Sequence, residues 1–195
     1  MILAFCHCGD LEDALNWKRE FASLSNPIVN TVATIEYRLW QRSLDARWGS
    51  GFFNDWRGHY LDDLSADAIR ILMDHVEGLN SPWTDIKIAH LEGAVSRVPE
   101  NATAYGSRSA RFALVIQARW EHRSDGVAQV AWAKQLRDAL APYTTGRAYA
   151  NFLAADEAQR MCSAHGPENY RRLRELKSKY DPENVFRNNP NVPPI

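Results

Sequence analysis

The sequence predicts an α+β fold: an antiparallel sheet with helices packed on one face, followed by a C-terminal helix and an irregular tail. Three observations lead there. The strand candidates mostly alternate apolar and polar residues instead of running uniformly apolar, as strands with one covered face do. The helix candidates carry apolar residues three and four apart along a single side. The order is strand, two helices, strand, helix, strands, helix and tail, with no repeat and no low-complexity linker.

Each element has its own local reason. Residues 2–8 read as a short buried strand in which Cys6 and Cys8 act as small hydrophobes. Cys6-His7-Cys8 holds metal-binding residue types, but structural zinc sites use wider spacing and a second ligand pair, so no metal site is assigned. Asp10 can cap a helix over Leu11–Leu24, which Asn26-Pro27 ends. Thr31–Leu44 is a second helical candidate with Val32, Ile35 and Leu39 on one face. Trp48-Gly49-Ser50-Gly51 makes a turn, and residues 52–60 alternate as a strand. Ser65 caps a helix over residues 66–79, with Ile69, Leu72, Met73 and Val76 along it. Residues 85–90 form a strand, Gly93–Val98 a short one, and Arg111–His122 the clearest of all. A helix over Asp125–Leu140 follows, then a tail helix over Glu168–Lys179 behind Gly166-Pro167. Asp181-Pro182-Glu183-Asn184 is a turn, and the end from Asn188 to Pro194 is irregular.

Composition bounds the function. The 195 residues are 45% hydrophobic and 24% charged, the balance of one soluble domain. A formal net charge of -1 gives no basic field, so nucleic acid is not expected as a partner. No apolar run suits a membrane span, and no basic leader opens the chain, so a cytoplasmic location is the default expectation. Three cysteines argue against a disulfide framework. Tryptophan, tyrosine and phenylalanine occur seven times each, a heavy aromatic load, while neither GxGxxG nor GxxxxGK[ST] is present to cradle phosphate.

The alternation also assigns faces. Phe112, Leu114, Ile116, Ala118 and Trp120 should meet the helices; Arg111, Gln117, Arg119 and Glu121 should point away. Ile86, Ile88 and His90 share a face, with Asp85 and Lys87 opposite. Asp55, Arg57 and His59 share a face and are expected on the polar side. That side is either a solvated outer face or a platform closing over a ligand. On the second reading Gln117, Arg119 and Glu121 are candidate substrate contacts. His75 and His90 read as structural histidines.

The C-terminal quarter carries a more specific pattern. It reads Gly146-Arg147-Ala148-Tyr149-Ala150-Asn151-Phe152, then His165-Gly166-Pro167-Glu168-Asn169-Tyr170-Arg171-Arg172-Leu173, then Lys177-Ser178-Lys179-Tyr180-Asp181-Pro182-Glu183-Asn184-Val185-Phe186. This resembles the C-terminal signature of FAD-linked oxidases of the berberine bridge enzyme type: Y-x-N, then a helix with N-x-x-R-L, then K-x-x-Y-D-P-x-N-x-F. His165 stands where the family usually has tyrosine. Upstream, Gly93-Ala94-Val95-Ser96-Arg97-Val98 with Asn101-Ala102-Thr103-Ala104-Tyr105 is similar to another family stretch, although Ser107 replaces a histidine often found before the arginine. The likeness is weak before Gly93 and strong after Gly146.

The resemblance implies FAD as cofactor, a substrate domain over residues 1–145 and a C-terminal segment over residues 146–195 packed with it. It implies Tyr149 as the base that starts substrate oxidation, with Asn151 and Asn184 on the cofactor side. It further implies that the flavin-binding half lies before Met1, so that the chain is a truncated, substrate-side part. The expected partners are a small-molecule substrate and either a flavin-domain chain or further copies of this one, in an oligomer. The alternative is a non-catalytic remnant or binding domain that keeps the fold without flavin.

Overall fold

The computed structural model describes every residue except Ser25, Asn80, Asn189 and Pro190. The part of the expected irregular tail at Asn189-Pro190 therefore lies outside the described residues. The chain divides into two compact units, Met1–Ser50 and Gly51–Ile195. The boundary expected at residue 145 lies inside the second.

In the first unit, helix α1 spans Leu11–Ser23 and starts where the sequence placed it. Asp10 Oδ1 accepts the Glu12 N–H at 2.7 Å, satisfying one donor of the first turn. The Phe5 ring lies 4.6 Å from that of Phe21 on this helix, and Trp17 lies 5.9 Å from Phe21. Residues 2–8 do not form the expected buried strand: they have no regular structure, and Cys6 and Cys8 are exposed. Among the described residues of this unit no strand offers a ladder, and an apolar run without one has nothing to pair with. Helix α2 is confined to Tyr37–Arg42, shorter than expected. The β-branched run Thr31-Val32 and Thr34-Ile35 disfavours helix, and Asn30 Oδ1 accepts the Val32 N–H at 3.1 Å in a local turn.

The second unit is built on three antiparallel strands: β1 (Phe53–Leu61), β2 (Asp85–His90) and β3 (Phe112–Trp120), in the order β1-β3-β2. The predicted α+β arrangement holds. Helix α3 (Ala66–Glu77) begins at Ser65, whose Oγ accepts the Ala68 N–H at 3.2 Å. Helix α4 spans Gly126–Leu140. Leu72 from α3 and Ala133, Leu136 and Leu140 from α4 pack on Leu61, Leu114, Ile116 and Ala118 to form the main core. Each buried Leu or Ile there contributes about 1.5–3 kcal/mol. The expected strand at Gly93–Val98 is a series of turns instead: Gly93 takes φ +72°, and Ser96 Oγ donates back to its carbonyl.

One expected face assignment is reversed. Pairing sets Asp55 opposite Ala118, Arg57 opposite Ile116 and His59 opposite Leu114, so all three belong to the helix-covered face. They are not an open polar surface. Arg57 is 1% exposed and pairs with Asp55 at 2.7 Å, Asp156 at 3.0 Å and Glu157 at 3.7 Å. Glu157, itself buried, takes Arg160 at 2.7 Å and Arg137 of α4 at 3.5 Å, while Lys134 of α4 holds Asp156 at 2.7 Å. Buried charge survives only when it is paired, and these groups tie β1, α4 and residues 155–160 together.

The C-terminal helices are α5 (Met161–His165) and α6 (Pro167–Tyr180), hinged at Gly166 with φ +82°. Met161 and Ala164 of α5 pack with Ala148 and Leu153 as a second, smaller core. Among the described residues no helix is long and apolar enough to cross a membrane.

Candidate active site

The Tyr149 segment is laid against the end of β1 by its backbone. Thr145 N–H donates to the Tyr60 carbonyl at 2.9 Å, and Tyr60 N–H donates to the Arg147 carbonyl at 3.0 Å. Gly146 allows the turn between them with φ +75°, a conformation that suits glycine. A 3-10 turn, Ala150–Phe152, then folds Phe152 over Gly58 of β1. A Cβ at Gly58 would come within 2.9 Å of the Phe152 Cβ, so glycine is what lets the ring lie on the strand.

An aromatic cluster forms there. Tyr149 is half-buried, with the Phe152 ring 5.2 Å and the Tyr105 ring 5.7 Å away, both edge-on. Phe152 in turn lies 5.8 Å from Trp56. The Asn151 side-chain amide donates to Tyr149 Oη at 3.0 Å. Behind them Tyr60 is buried, and its hydroxyl donates to Tyr105 Oη at 3.1 Å. Burial, helped by the Tyr105 hydroxyl, pushes the Tyr60 phenol far above its ordinary range, so it stays protonated and keeps donating.

The loop that carries Tyr105 is clamped from two sides. The Glu100 carboxylate accepts the N–H groups of Ser107 at 2.8 Å and Ser109 at 3.2 Å, together with the Ser109 hydroxyl at 3.1 Å. Burial works against its charge, but these donors and Arg147 hold the carboxyl below its usual value. His165 Nδ1 contacts the Ala104 carbonyl at 2.8 Å, and Asn169 donates to the carbonyls of Glu100 and His165 at 2.9 and 3.2 Å. Gly106 approaches so closely that a Cβ would sit 2.7 Å from the His165 carbonyl oxygen. Ser107 adopts φ +61°, an uncommon conformation held by these contacts. Arg108 lies over the Tyr105 ring at 5.1 Å and donates to Thr103 Oγ1 at 2.8 Å. The His165-to-Arg172 motif thus fixes the Tyr105 loop, and Arg172 adds a hydrogen bond to the Asn101 carbonyl at 2.7 Å.

Tyr149 and Asn151 are therefore brought together, and the remaining expected site residues are not beside them. Gln117 and Arg119 lie on the sheet face away from α3 and α4, as the alternation said. Both are buried: Gln117 accepts from Lys87 Nζ at 2.5 Å, and the Arg119 guanidinium covers the Phe52 ring at 4.1 Å. Pairing puts Gln117 opposite Trp56 and Ala113 opposite Tyr60, so Gln117 sits four residues along β3 from the Tyr60 end. At strand spacing that is about 13 Å. Glu121 falls beyond the end of β3 and is exposed. Asn184 takes φ +53° in the turn after α6, where the Asp181 carboxylate accepts the Val185 and Phe186 N–H groups at 2.8 and 3.0 Å. Sequence reasoning did not select Tyr60, Tyr105, Trp56 or Phe152. Tyr105 and Phe152 stand within the family-like stretches, and the signals that bear on Trp56 and Tyr60 were the aromatic load and the alternation of β1.

Tyr149 thus stands half-buried between two edge-on aromatic rings, with one amide donating to its hydroxyl. This defines a class, an α+β sheet domain whose C-terminal segment presents a tyrosine-asparagine pair. Comparison places it further. Residues 148–193 match the model of the family described as "Berberine and berberine like". The uncharacterized FAD-linked oxidoreductase YvdP of Bacillus subtilis is 30% identical over 147 residues, covering 75% of this chain and 30% of that protein. An FAD-linked oxidoreductase of Dictyostelium discoideum is 27% identical over 189 residues, 96% of this chain and 41% of that one. Among solved structures, BBE-like protein 28 of Arabidopsis thaliana superposes with a TM-score of 0.77 at 17% identity, over 96% of this chain and 45% of that one. The chain thus spans 30–41% of the length of these two curated relatives. It is similar to the berberine bridge enzyme-like FAD-linked oxidoreductases, and FAD is the cofactor that this similarity implies.

Proposed function

We propose that this chain is the substrate-side part of an FAD-dependent oxidoreductase acting on an alcohol, a sugar or a related small molecule. The observation that carries the reading is the Tyr149–Asn151 pair, half-buried among Tyr105, Phe152 and Tyr60 and held in place by backbone pairing to β1. When bound, FAD supplies the ring that accepts a hydride. Tyr149 and Asn151 would flank that ring. Phosphate binding would fall to a flavin-binding partner chain or domain.

The chemistry left to this chain is proton transfer and positioning. In its phenolate form the Tyr149 oxygen would take the substrate hydroxyl proton and become a neutral phenol as the hydride departs. Asn151 fixes that oxygen by donating to it, which keeps an acceptor lone pair pointed away from the amide. Tyr105 and Phe152 confine the Tyr149 ring from two edges, so the oxygen is held in one place. Lys87, part-exposed and held by the buried Gln117, lies farther along the same sheet face and suits contact with the distal part of a substrate, with Gln117 and Arg119 supporting that face from within.

Titrating the purified chain with FAD, alone and with a flavin-domain partner, tests this by the visible flavin bands and by reduction of the flavin with substrate. Binding that shifts the bands is expected. A Tyr149→Phe variant should keep that shift and lose at least about a hundredfold in flavin reduction rate, the usual contribution of a positioned base. Protein that leaves the bands unchanged in both mixtures would overturn the reading and favour a non-catalytic binding domain.

A further inference from the structure

We propose that Cys6 and Cys8 form a redox-active dithiol that closes to an intrachain disulfide by exchange with a small disulfide such as glutathione disulfide. Both thiols are exposed, and their sulfur atoms lie 3.7 Å apart, in contact. A disulfide needs about 2.05 Å, so the two atoms need only a short further approach. The backbone around them has no helix or ladder hydrogen bonds to break.

The segment is nonetheless tethered at both ends. Phe5 packs its ring 4.6 Å from Phe21 on one side of the pair. On the other, His7 Nε2 contacts the Asp10 carbonyl at 3.2 Å, and Asp10 caps α1. These contacts keep the two sulfurs close without burying them, so both stay within reach of a small disulfide in solution. The third cysteine, Cys162, is exposed on α5 in the other unit and has no cysteine left to pair with in a monomer.

The exchange balances. The Cys6 thiolate attacks one sulfur of glutathione disulfide, forming a mixed disulfide and releasing one glutathione thiolate. The Cys8 thiol loses its proton, and its thiolate attacks the Cys6 sulfur and releases the second glutathione. Two protein thiols are oxidised by two electrons, and one glutathione disulfide is reduced to two thiols. An exposed bridge of this kind is readily reduced again, so the pair would act as a switch and not as a staple.

Incubating the full chain with glutathione disulfide, alkylating residual thiols and mapping peptides by mass under non-reducing conditions reads this out. In the wild type, the peptide holding Cys6 and Cys8 should lose two hydrogens and carry neither alkyl group nor glutathione, and dithiothreitol should reverse the change. Cys162 should carry glutathione in the same sample. In Cys8→Ser the mixed disulfide at Cys6 has no neighbour to resolve it and should accumulate at least about tenfold over wild type. Stable glutathione adducts on Cys6 and Cys8 at the level of Cys162 would overturn the proposal. Bridges from either residue to Cys162 or to a second molecule would do the same.

Discussion

Replacing Arg57 by methionine should cost this chain a large part of its stability, and the structure says why. Methionine fills much of the same length but carries no charge. The Arg57 guanidinium is 1% exposed and serves three carboxylates: Asp55 at 2.7 Å, Asp156 at 3.0 Å and Glu157 at 3.7 Å. Glu157 keeps Arg160 at 2.7 Å and Asp156 keeps Lys134 at 2.7 Å when Arg57 is gone. Asp55 loses the cation that opposes its burial, which already pushes its carboxyl above the ordinary value. One nearly buried carboxylate is thus left without its cation, and two others are weakened. Breaking a buried pair from one side costs about 3–5 kcal/mol. With a urea slope of about 2 kcal/mol per molar, the unfolding midpoint should fall by roughly 1.5–2.5 M. Far-ultraviolet circular dichroism across a urea series measures it. A midpoint within about 0.5 M of wild type would refute the account, because it would mean that solvent screens the network as it does a surface pair.

Two further outcomes follow from the same face and from its opposite. Burial, with Arg160 nearby, lowers His59 from 6.5 to about 4, so as pH falls through that window the unfolded chain takes a proton that the folded one refuses. Stability is then fully present above pH 6.5 and should drop by on the order of 3 kcal/mol on acidification to pH 4. His59→Gln should flatten that limb in thermal melts, while a separate loss below pH 3.8 persists, because Lys134 and Arg57 hold Asp156 near 2. On the other face, Gly58→Ala would press a methyl group to 2.9 Å from the Phe152 Cβ. It should destabilise the fold by about 1–3 kcal/mol and displace Phe152 from Trp56, read as a change in near-ultraviolet circular dichroism.

Much of the fold was legible because its causes are local. Asp10 and Ser65 sit one residue before their helices and cap them, a rule that needs no tertiary information. The alternation of β3 named the residues that meet α3 and α4 because each strand obeys its own period. Residues 2–8 went the other way: an apolar run says that burial is favourable, not that a partner exists to provide it. The reversed face of β1 has a related origin. Period two tells which residues of one strand share a side, but not which side of the neighbouring strand they join. Asp55, Arg57 and His59 looked like a solvent face because their partners are remote: Asp156 lies 99 residues from Arg57 in sequence. Only the fold brings that carboxylate within reach.

The same division runs through the candidate site. Tyr149 and Asn151 are two residues apart, so a short motif could name both, and the structure joins them by a direct hydrogen bond. Asn184 belongs to an equally local motif, yet its backbone shows what that motif does here: a left-handed residue closing the turn that Asp181 organises. The motif from His165 to Arg172 likewise spends its contacts on the Tyr105 loop. Phe152 comes from the same short motif, but Tyr60 and Tyr105 are brought to Tyr149 from two other segments, and no spacing rule connects them. Phe152 reaches its place because β1 gives up a side chain at Gly58 and Phe152 takes the space. A glycine inside a strand costs roughly 0.5–1 kcal/mol against alanine. That cost is accepted where the Phe152 side chain must approach the strand this closely, and so the site depends on a missing side chain as much as on the tyrosine that the motif names.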